Sequence, residues 1–421
     1  MARAIITGTG AISSAGQTPT EILDTILAGK SVLAPIATFD ASALPASLAG
    51  EAGGSDLRKL LPDRKLMKFI RRTDVFGIHA AASAIEASDV HAWRESLDAE
   101  DAVRVSDRFG CIVGSGGGTF DSQYDYFPLM TVARDDLHAF GEELSANVSP
   151  MWLLRSLPNN VLCHVGITHN LKGTNACITH HSISGTLALC ETLEALRADE
   201  ADRIVAVGHD APIEPQNLLY YYRAGLVSPD GLRPFDASRN GTIFGEGAAA
   251  MVVETEAAAA ARGAPRRGEI LGSGSASEAL GILAIGADGD GLARAITLAL
   301  DDAGVAAQDI GMIVGHANGT SSSDASEARA IARVFGAAMP PVTGFKWAFG
   351  HLLAASGALE AVIALEALHR GVVPGIATLA SLDPDCAGLR VSRDTRATRS
   401  DTALVLSRGF GSTNTALVIR V

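Results

Sequence analysis

Gly110-Cys-Ile-Val-Gly-Ser-Gly-Gly-Gly-Thr119 returns later in the chain as Gly311-Met-Ile-Val-Gly-His-Ala-Asn-Gly-Thr320, identical at six of the ten positions. Each copy is a short apolar run closing on small residues, the pattern of a strand buried on both faces that leads into a tight turn. Two fainter echoes keep the same order. Ile5-Ile-Thr-Gly-Thr-Gly-Ala11 matches Ile270-Leu-Gly-Ser-Gly-Ser-Ala276, and Ile204-Val-Ala-Val-Gly208 matches Ala403-Leu-Val-Leu-Ser407. Chance produces one such match; three in one order point to an internal duplication. The sequence thus divides into two α/β halves, residues 1–256 and 265–421, joined by Arg262-Gly-Ala-Pro-Arg-Arg-Gly268, a stretch rich in Gly, Pro and charge.

Ala/Leu/Glu-rich stretches between the apolar runs predict helices over Ser184–Ala198, Asp324–Phe335 and Leu352–His369. Strands buried on both faces and alternating with helices imply doubly covered or five-layered sheets. An excursion over residues 119–160, rich in aromatics and Pro, suits a cap over a pocket or a dimer surface.

The 421 residues are 47% apolar and 19% charged, which fits a packed globular chain. The net charge of -13 argues against a nucleic-acid binder, because phosphate binding needs clustered Lys and Arg. The five Cys form no C-x-x-C pair, so neither a metal site nor a disulfide framework is expected. The opening Met-Ala-Arg-Ala-Ile-Ile-Thr-Gly reads as a strand and turn, and no apolar run is long enough to span a bilayer. A cytoplasmic location is the expectation, with no membrane partner.

Four segments carry candidate chemistry. In Gly173-Thr-Asn-Ala-Cys-Ile-Thr-His-His-Ser-Ile-Ser-Gly185, a strand of small residues runs through His180 and His181 to Ser182 and a helix start. A side chain there lies near the helix N-terminus, where the dipole favours developing negative charge; from this segment alone a simple N-cap is the plainer reading. In His316-Ala-Asn-Gly-Thr-Ser321, His316 and Asn318 share a face if the strand continues through them; a polar strand end with a capping Asn is the plainer reading. Phe345-Lys-Trp-Ala-Phe-Gly-His351 sets Lys346 and His351 at a helix start. Arg408-Gly-Phe-Gly-Ser-Thr-Asn414 is a glycine loop before the last strand, weak evidence for phosphate binding on its own.

Together and in this order, these segments resemble the β-ketoacyl-acyl carrier protein synthases. Ile6-Thr-Gly8, Arg64-Lys-Leu-Met-Lys-Phe69, Arg233-Pro-Phe-Asp236 and Phe244-Gly-Glu-Gly-Ala248 agree with the same family. The resemblance covers nearly the whole chain. It implies a thiolase-like, duplicated five-layer α-β-α-β-α fold and a dimer whose interface runs along Asn175–Ile178. It also implies a ping-pong reaction: a cysteine takes an acyl chain from a carrier protein, and two histidines help decarboxylate a malonyl unit whose carbanion attacks the thioester. No bound cofactor is implied, since phosphopantetheine arrives on the carrier protein.

The chain departs from that pattern at its centre. The family's Thr-Ala-Cys becomes His180-His181-Ser182, and its Asn-Ala-His-Gly-Thr becomes His316-Ala-Asn-Gly-Thr320, so the first histidine is Asn318. Lys346, Gly350 and His351 survive, as does the gating Gly409-Phe410-Gly411. The loop before Asp324 and Glu327 is shortened and lacks its usual Pro. The resemblance assigns catalytic positions to Ser182, Asn318, His351 and Lys346. Substrate contacts fall to His181, His316, Thr320, Ser321, Phe410 and Gly411.

A thiol near a helix N-terminus ionises readily, whereas a hydroxyl needs a general base; here His181, His316 or His351 would have to act. A lost oxyanion donor costs about 10²–10³ in rate. Both changes argue against ordinary condensation. Three functions follow: a non-condensing, chain-length-factor-like partner of an active synthase; a serine acyltransferase or malonyl-carrier decarboxylase using Ser182, His351 and Asn318; or a scaffold with an occluded pocket. Arg64, Lys65, Lys68, Arg71 and Arg72 form a basic face on an acidic protein, suited to an acidic carrier protein, or simply a solvated helix face. The dimer is a homodimer or a heterodimer with the synthase.

Overall fold

A computed structural model of the chain describes residues 2–421 except 55, 118–123 and 125. The end of the first repeat and part of the 119–160 excursion lie outside the described residues.

Ten strands make the central sheet. In chain order they are β1 (Ala4–Ser13), β2 (Phe109–Ser115), β3 (Asn175–Ile178), β4 (Arg203–Asp210) and β5 (Gly247–Thr255), then β6 (Gly268–Ser277), β7 (Met312–Val314), β8 (Val342–Thr343), β9 (Thr402–Gly409) and β10 (Thr413–Arg420). Their spatial order is β8-β7-β9-β10-β6-β1-β5-β4-β2-β3. Read outward from the β6–β1 junction, the two halves have one topology: β1-β5-β4-β2-β3 on one side and β6-β10-β9-β7-β8 on the other. The three sequence echoes fall on β1 and β6, on β2 and β7, and on β4 and β9. The sheet is mixed: β2 runs parallel to β3 and β4, while β5 runs antiparallel to β4 and to β1.

The first echo is displaced by one residue from the ungapped match. β1 carries a register shift between Ile6 and Gly8, and β6 carries one between Ile270 and Gly272, opposite Ile419 and Val418. Aligning the irregularities puts Gly8 and Gly10 opposite Gly272 and Gly274 in role. A Cβ on Gly8 or Gly10 would lie 2.1 or 2.2 Å from the carbonyls of Ala84 and Ala80, on helix α1 (Arg72–Ala87). A Cβ on Gly274 would lie 2.2 Å from the carbonyl of Ala295 on the helix Asp290–Ala303. These glycines let the outer helices lie against the sheet, which accounts for the Ile6-Thr-Gly8 motif without any ligand.

Two helices fill the middle layer, α2 (Ser184–Arg197) and α3 (Ser356–His369). α3 is buried on every side, as its all-round apolar sequence requires. Helices approach the sheet and each other at glycine. A Cβ on Gly357 would meet Thr186 Oγ1 of α2 at 1.8 Å and Ser407 Oγ of β9 at 2.5 Å; one on Gly114 of β2 would meet the Ser184 carbonyl at 2.2 Å. The order helix, sheet, paired helices, sheet, helix is the expected five-layer stack. Because β1 pairs with β6 over Ala4–Ile6, its two sheets are one continuous sheet. Helix α2 ends at Arg197 and α3 at His369, close to the sequence expectations; the residues before Ser356 form a separate short turn over Leu353–Ala355.

The segment read as a linker is tied down. The Arg262 side chain is buried and paired with the buried Glu254, and the Arg267 N–H donates to the Ile6 carbonyl at 2.9 Å. The sheet ends differently at its two edges: β8 is buried, whereas Asn175 on β3 is exposed and its neighbours are half-buried.

Candidate active site

Helices α2 and α3 both begin beneath one cavity of about 440 Å³. Its walls include His181, Ser182, Tyr221, Phe244, His316, Asn318, Thr320, Ser321, His351, Arg408 and Phe410. Ser182, at the head of α2, is buried in a single helical turn over His181–Ile183. The turn is built by Ser184: its Oγ accepts from the His180 N–H at 2.7 Å and donates to the His181 carbonyl at 2.8 Å. Neither Ser182 nor Ser184 caps α2, which starts with no side-chain cap; Ser184 ties the turn before the helix instead. The Ser182 hydroxyl lies 2.8 Å from His181 Nδ1, and His181 Nε2 lies 2.8 Å from the Tyr221 hydroxyl. Phe410 stacks on the same imidazole with ring centres 4.4 Å apart. Burial pushes His181 down to about 4, so the ring is neutral and able to accept a proton at neutral pH.

His351 precedes α3. The Phe244-Gly-Glu-Gly motif runs beside it: the His351 N–H donates to the Ile243 carbonyl at 2.7 Å, and a Cβ on Gly350 would lie 2.7 Å from the Gly245 nitrogen. His351 Nδ1 accepts from the Leu353 N–H at 3.2 Å and lies 2.8 Å from Ser356 Oγ. That arrangement assigns the ring proton to Nε2. His316 is held likewise, its Nδ1 accepting from the Arg408 N–H at 3.4 Å. The two rings meet edge to face, centres 5.1 Å apart. Burial, then the Lys346 charge, lowers both histidines well below their ordinary value. The cavity therefore holds neutral imidazoles that donate through Nε2–H.

β7 stops at Val314, so His316 and Asn318 sit in a loop, not on a continued strand, yet both line the cavity. The Glu327 carboxylate accepts from the His316 and Ala317 N–H groups at 2.6 and 2.9 Å, and Asp324 accepts from the Gly319 and Phe235 N–H groups. The acidic pair thus fastens the shortened loop, and the Arg233-Pro-Phe-Asp236 motif meets it through the Phe235 N–H. Asn318 Oδ1 accepts from the Thr320 N–H at 3.0 Å and from its hydroxyl at 2.8 Å. It is a loop cap with only its amide NH₂ uncommitted among the described residues.

Four non-glycine residues in the turns around the cavity have left-handed backbones: His181 (φ 51°), Ala317 (φ 45°), Leu353 (φ 44°) and Ser412 (φ 58°). Such conformations are sparse outside glycine and concentrate at functional sites.

Three sequence expectations are corrected here. Lys346 does not line the cavity: it is wholly buried, and its Nζ donates to Glu360 at 2.6 Å and to the His316 carbonyl at 2.7 Å. It positions His316 and contacts no reacting atom. Arg71 is buried with its Nε donating to the Arg155 carbonyl, and Arg72 is paired with the buried Glu246. Neither belongs to an exposed docking face, where only Arg64, Lys65 and Lys68 remain. Gly411 does not line the cavity; its N–H is bonded to the Ile282 carbonyl at 2.8 Å.

Sequence reasoning missed Tyr221 and Glu278 and quoted Phe244 only as part of a motif, not as a residue of the site. Tyr221 stands in the run Tyr220-Tyr-Tyr222 on the helix Pro215–Arg223, and three adjacent tyrosines in an aromatic-poor chain were its signal. Glu278 pairs with Arg408 at 2.9 Å on the cavity wall, a contact within the second half between residues 130 positions apart that no local pattern announces. Among the described residues no His, Cys, Asp or Glu cluster could hold a metal, and no helix is long and apolar enough to cross a membrane.

A model of the β-ketoacyl synthase N-terminal domain matches residues 1–259, and one of the C-terminal domain matches residues 267–380. The chain is 31% identical over 429 residues to 3-oxoacyl-[acyl-carrier-protein] synthase 2 of Coxiella burnetii, covering 99% of this chain and 98% of that protein. It is 31% identical over 433 residues to the protein of the same description from Rhizobium meliloti, covering 100% and 99%. Among solved structures, a β-ketoacyl synthase from Burkholderia phymatum superposes with a TM-score of 0.87 at 27% identity, covering 100% of this chain and 99% of that one. The ishigamide ketosynthase/chain length factor superposes with a TM-score of 0.85 at 28% identity, with the same coverage.

Proposed function

The chain belongs to the β-ketoacyl synthase family, and within it we propose a non-condensing, chain-length-factor-like partner of an active synthase. The observation that carries this reading is the pair of changes at the cavity. An acyl group on Ser182 would be an oxygen ester, a poorer electrophile toward a carbanion than the thioester a cysteine would hold. Asn318 spends its carbonyl on Thr320, leaving one amide where the family has an imidazole.

The open edge strand supports the partner role. β3 ends the sheet, and Cys177 on it donates to the Pro158 carbonyl of the excursion at 3.4 Å. That excursion and the following helix expose Met130, Val132, Leu137, Leu153 and Ile167, apolar side chains that a partner would cover. An acidic carrier protein would dock on Arg64, Lys65 and Lys68. The open cavity speaks against an occluded scaffold.

The test is to purify the chain alone and with an active synthase of its host, supply malonyl-carrier protein, and follow products by intact-protein mass spectrometry. A tight heterodimer, with no carbon dioxide loss or chain extension by the chain alone, is expected. Extension by the chain alone, at a rate the synthase does not raise, would overturn the reading.

A further inference from the structure

We propose that Ser182 is a working nucleophile that cleaves acyl thioesters, with His181 as its general base and Tyr221 as the residue that positions the base. The geometry has the three parts such chemistry requires: a hydroxyl within hydrogen-bond reach of an imidazole, that imidazole held through its other nitrogen, and donors for the oxyanion in the same cavity. His181 Nδ1 is 2.8 Å from Ser182 Oγ, and Nε2 is 2.8 Å from the Tyr221 hydroxyl. Phe410 stacks on the ring, and the His181 backbone is held at φ 51°, so three side chains and a strained backbone fix one imidazole. The neutral ring can take the proton, and burial raises Tyr221 so that its hydroxyl stays protonated.

The step balances without a cofactor. The Ser182 oxygen attacks the thioester carbonyl while its proton passes to His181 Nδ1. The new C–O bond forms, the C–S bond breaks, and the proton goes to the departing thiolate. Water, deprotonated by the same imidazole, then cleaves the ester to release a carboxylic acid and restore the serine. The net reaction is thioester plus water to acid plus thiol. The oxyanion formed in each half lies beside the α2 N-terminus, in the cavity that His316 and His351 line. This activity does not depend on the partner reading: heterodimer formation tests that one, and thioester cleavage by the chain alone tests this one.

The experiment uses the full chain and the octanoyl thioester of N-acetylcysteamine. Thiol release is followed with a chromogenic thiol reagent, and the acylated peptide is mapped by mass spectrometry. Release faster than buffer, an octanoyl group on Ser182, and loss of both in Ser182→Ala are expected. His181→Phe, which keeps the stack on Phe410, lowers the rate by about 10² or more. Tyr221→Phe lowers the maximal rate several-fold while leaving the half-saturating thioester concentration unchanged, a split that a merely structural role would not give. Labelling of Ser182 by a fluorophosphonate needs no variant and guards against one that misfolds. An adduct on the exposed Cys163 alone, release unchanged in Ser182→Ala, or neither release nor fluorophosphonate labelling overturns the proposal.

Discussion

Restoring a thiol at the head of α2 is the most direct perturbation of the site. Ser182→Cys replaces a hydroxyl that needs His181 with a group that the helix N-terminus and a neighbouring imidazole ionise readily. The side chain is buried beside His181 and the cavity, so the larger sulfur faces open space and little repacking is needed. The variant should therefore hold an acyl group as a thioester. Adding Asn318→His supplies the missing donor, worth about 10²–10³ in the decarboxylation step. The second change has a cost: Asn318 Oδ1 accepts from both the N–H and the hydroxyl of Thr320, and losing two hydrogen bonds at this half-buried side chain costs about 1–2 kcal/mol. Condensation is assayed by mass spectrometry of the extended carrier protein, and stability by denaturant unfolding. The expected order is no extension by the natural chain, slow extension by Ser182→Cys, and extension about 10²-fold faster by the double variant, which unfolds at lower denaturant. Equal extension by the natural chain and Ser182→Cys would refute the view that the serine blocks condensation. A double variant that is acylated but inert would place the lesion outside these two residues.

Three other outcomes are expected. Lys346→Met leaves Glu360 buried without its cation and should cost about 3–5 kcal/mol by chemical denaturation, most of it recovered in the Lys346→Met, Glu360→Gln pair. Glu360 is pushed up to about 7 by burial, above its unfolded value, so its contribution declines as pH rises from 4.5 through 7; without Lys346 that decline extends to higher pH, and the deficit at pH 8 exceeds that at pH 5. Reversing Arg64, Lys65 and Lys68 to Glu should weaken binding of an acidic carrier protein about tenfold at low ionic strength and less in high salt, read by surface plasmon resonance. His209 is fully buried, pushed down to about 4 by desolvation, and its Nε2 finds no partner among the described residues. Its neutral form's contribution is intact above pH 6.5 and is lost as pH falls toward 4, about 3 kcal/mol in all; His209→Leu should flatten that acid limb of the unfolding profile.

The layered fold was legible because duplication leaves a mark that needs no model of packing: three apolar runs returned in order, and they lie on topologically equivalent strands. The register of the first echo was not legible. It turns on one bulged residue in each of β1 and β6, and a bulge has no composition of its own. Ser182, His316, Asn318 and His351 were legible as candidates from their segments and from the family resemblance, and they line one cavity. What they do with their hydrogen bonds was not. Whether Asn318 reaches a substrate or caps Thr320 is settled by loop geometry, and whether Lys346 faces the cavity or Glu360 by the packing of α3. Arg71 and Arg72 read as surface because adjacent charges usually are, but the first turn of α1 carries them inward to Arg155 and Glu246.

The strained turns say most about whether the cavity is used. Non-glycine residues in left-handed backbones cost about 1–3 kcal/mol each; His181, Leu353 and Ser412 line the cavity, and Ala317 stands between His316 and Asn318, which line it too. Ala317→Gly isolates the term. Relief of its backbone returns about 1–2 kcal/mol, against about 0.8 kcal/mol for one buried methyl and about 0.5–1 kcal/mol for the freer unfolded chain. The sum is near zero. Ala328, equally buried but inside the helix Ser321–Phe335, gains no such relief, so Ala328→Gly should lose about 1.5–2 kcal/mol. Equal losses in the two variants, measured by denaturant unfolding, would show that position 317 is not strained. A near-neutral Ala317→Gly that also slows thioester cleavage would mean that stability is given up at this loop to hold His316 and Asn318 toward an occupant. A cavity serving only as filler between two half-sheets has no use for that expense.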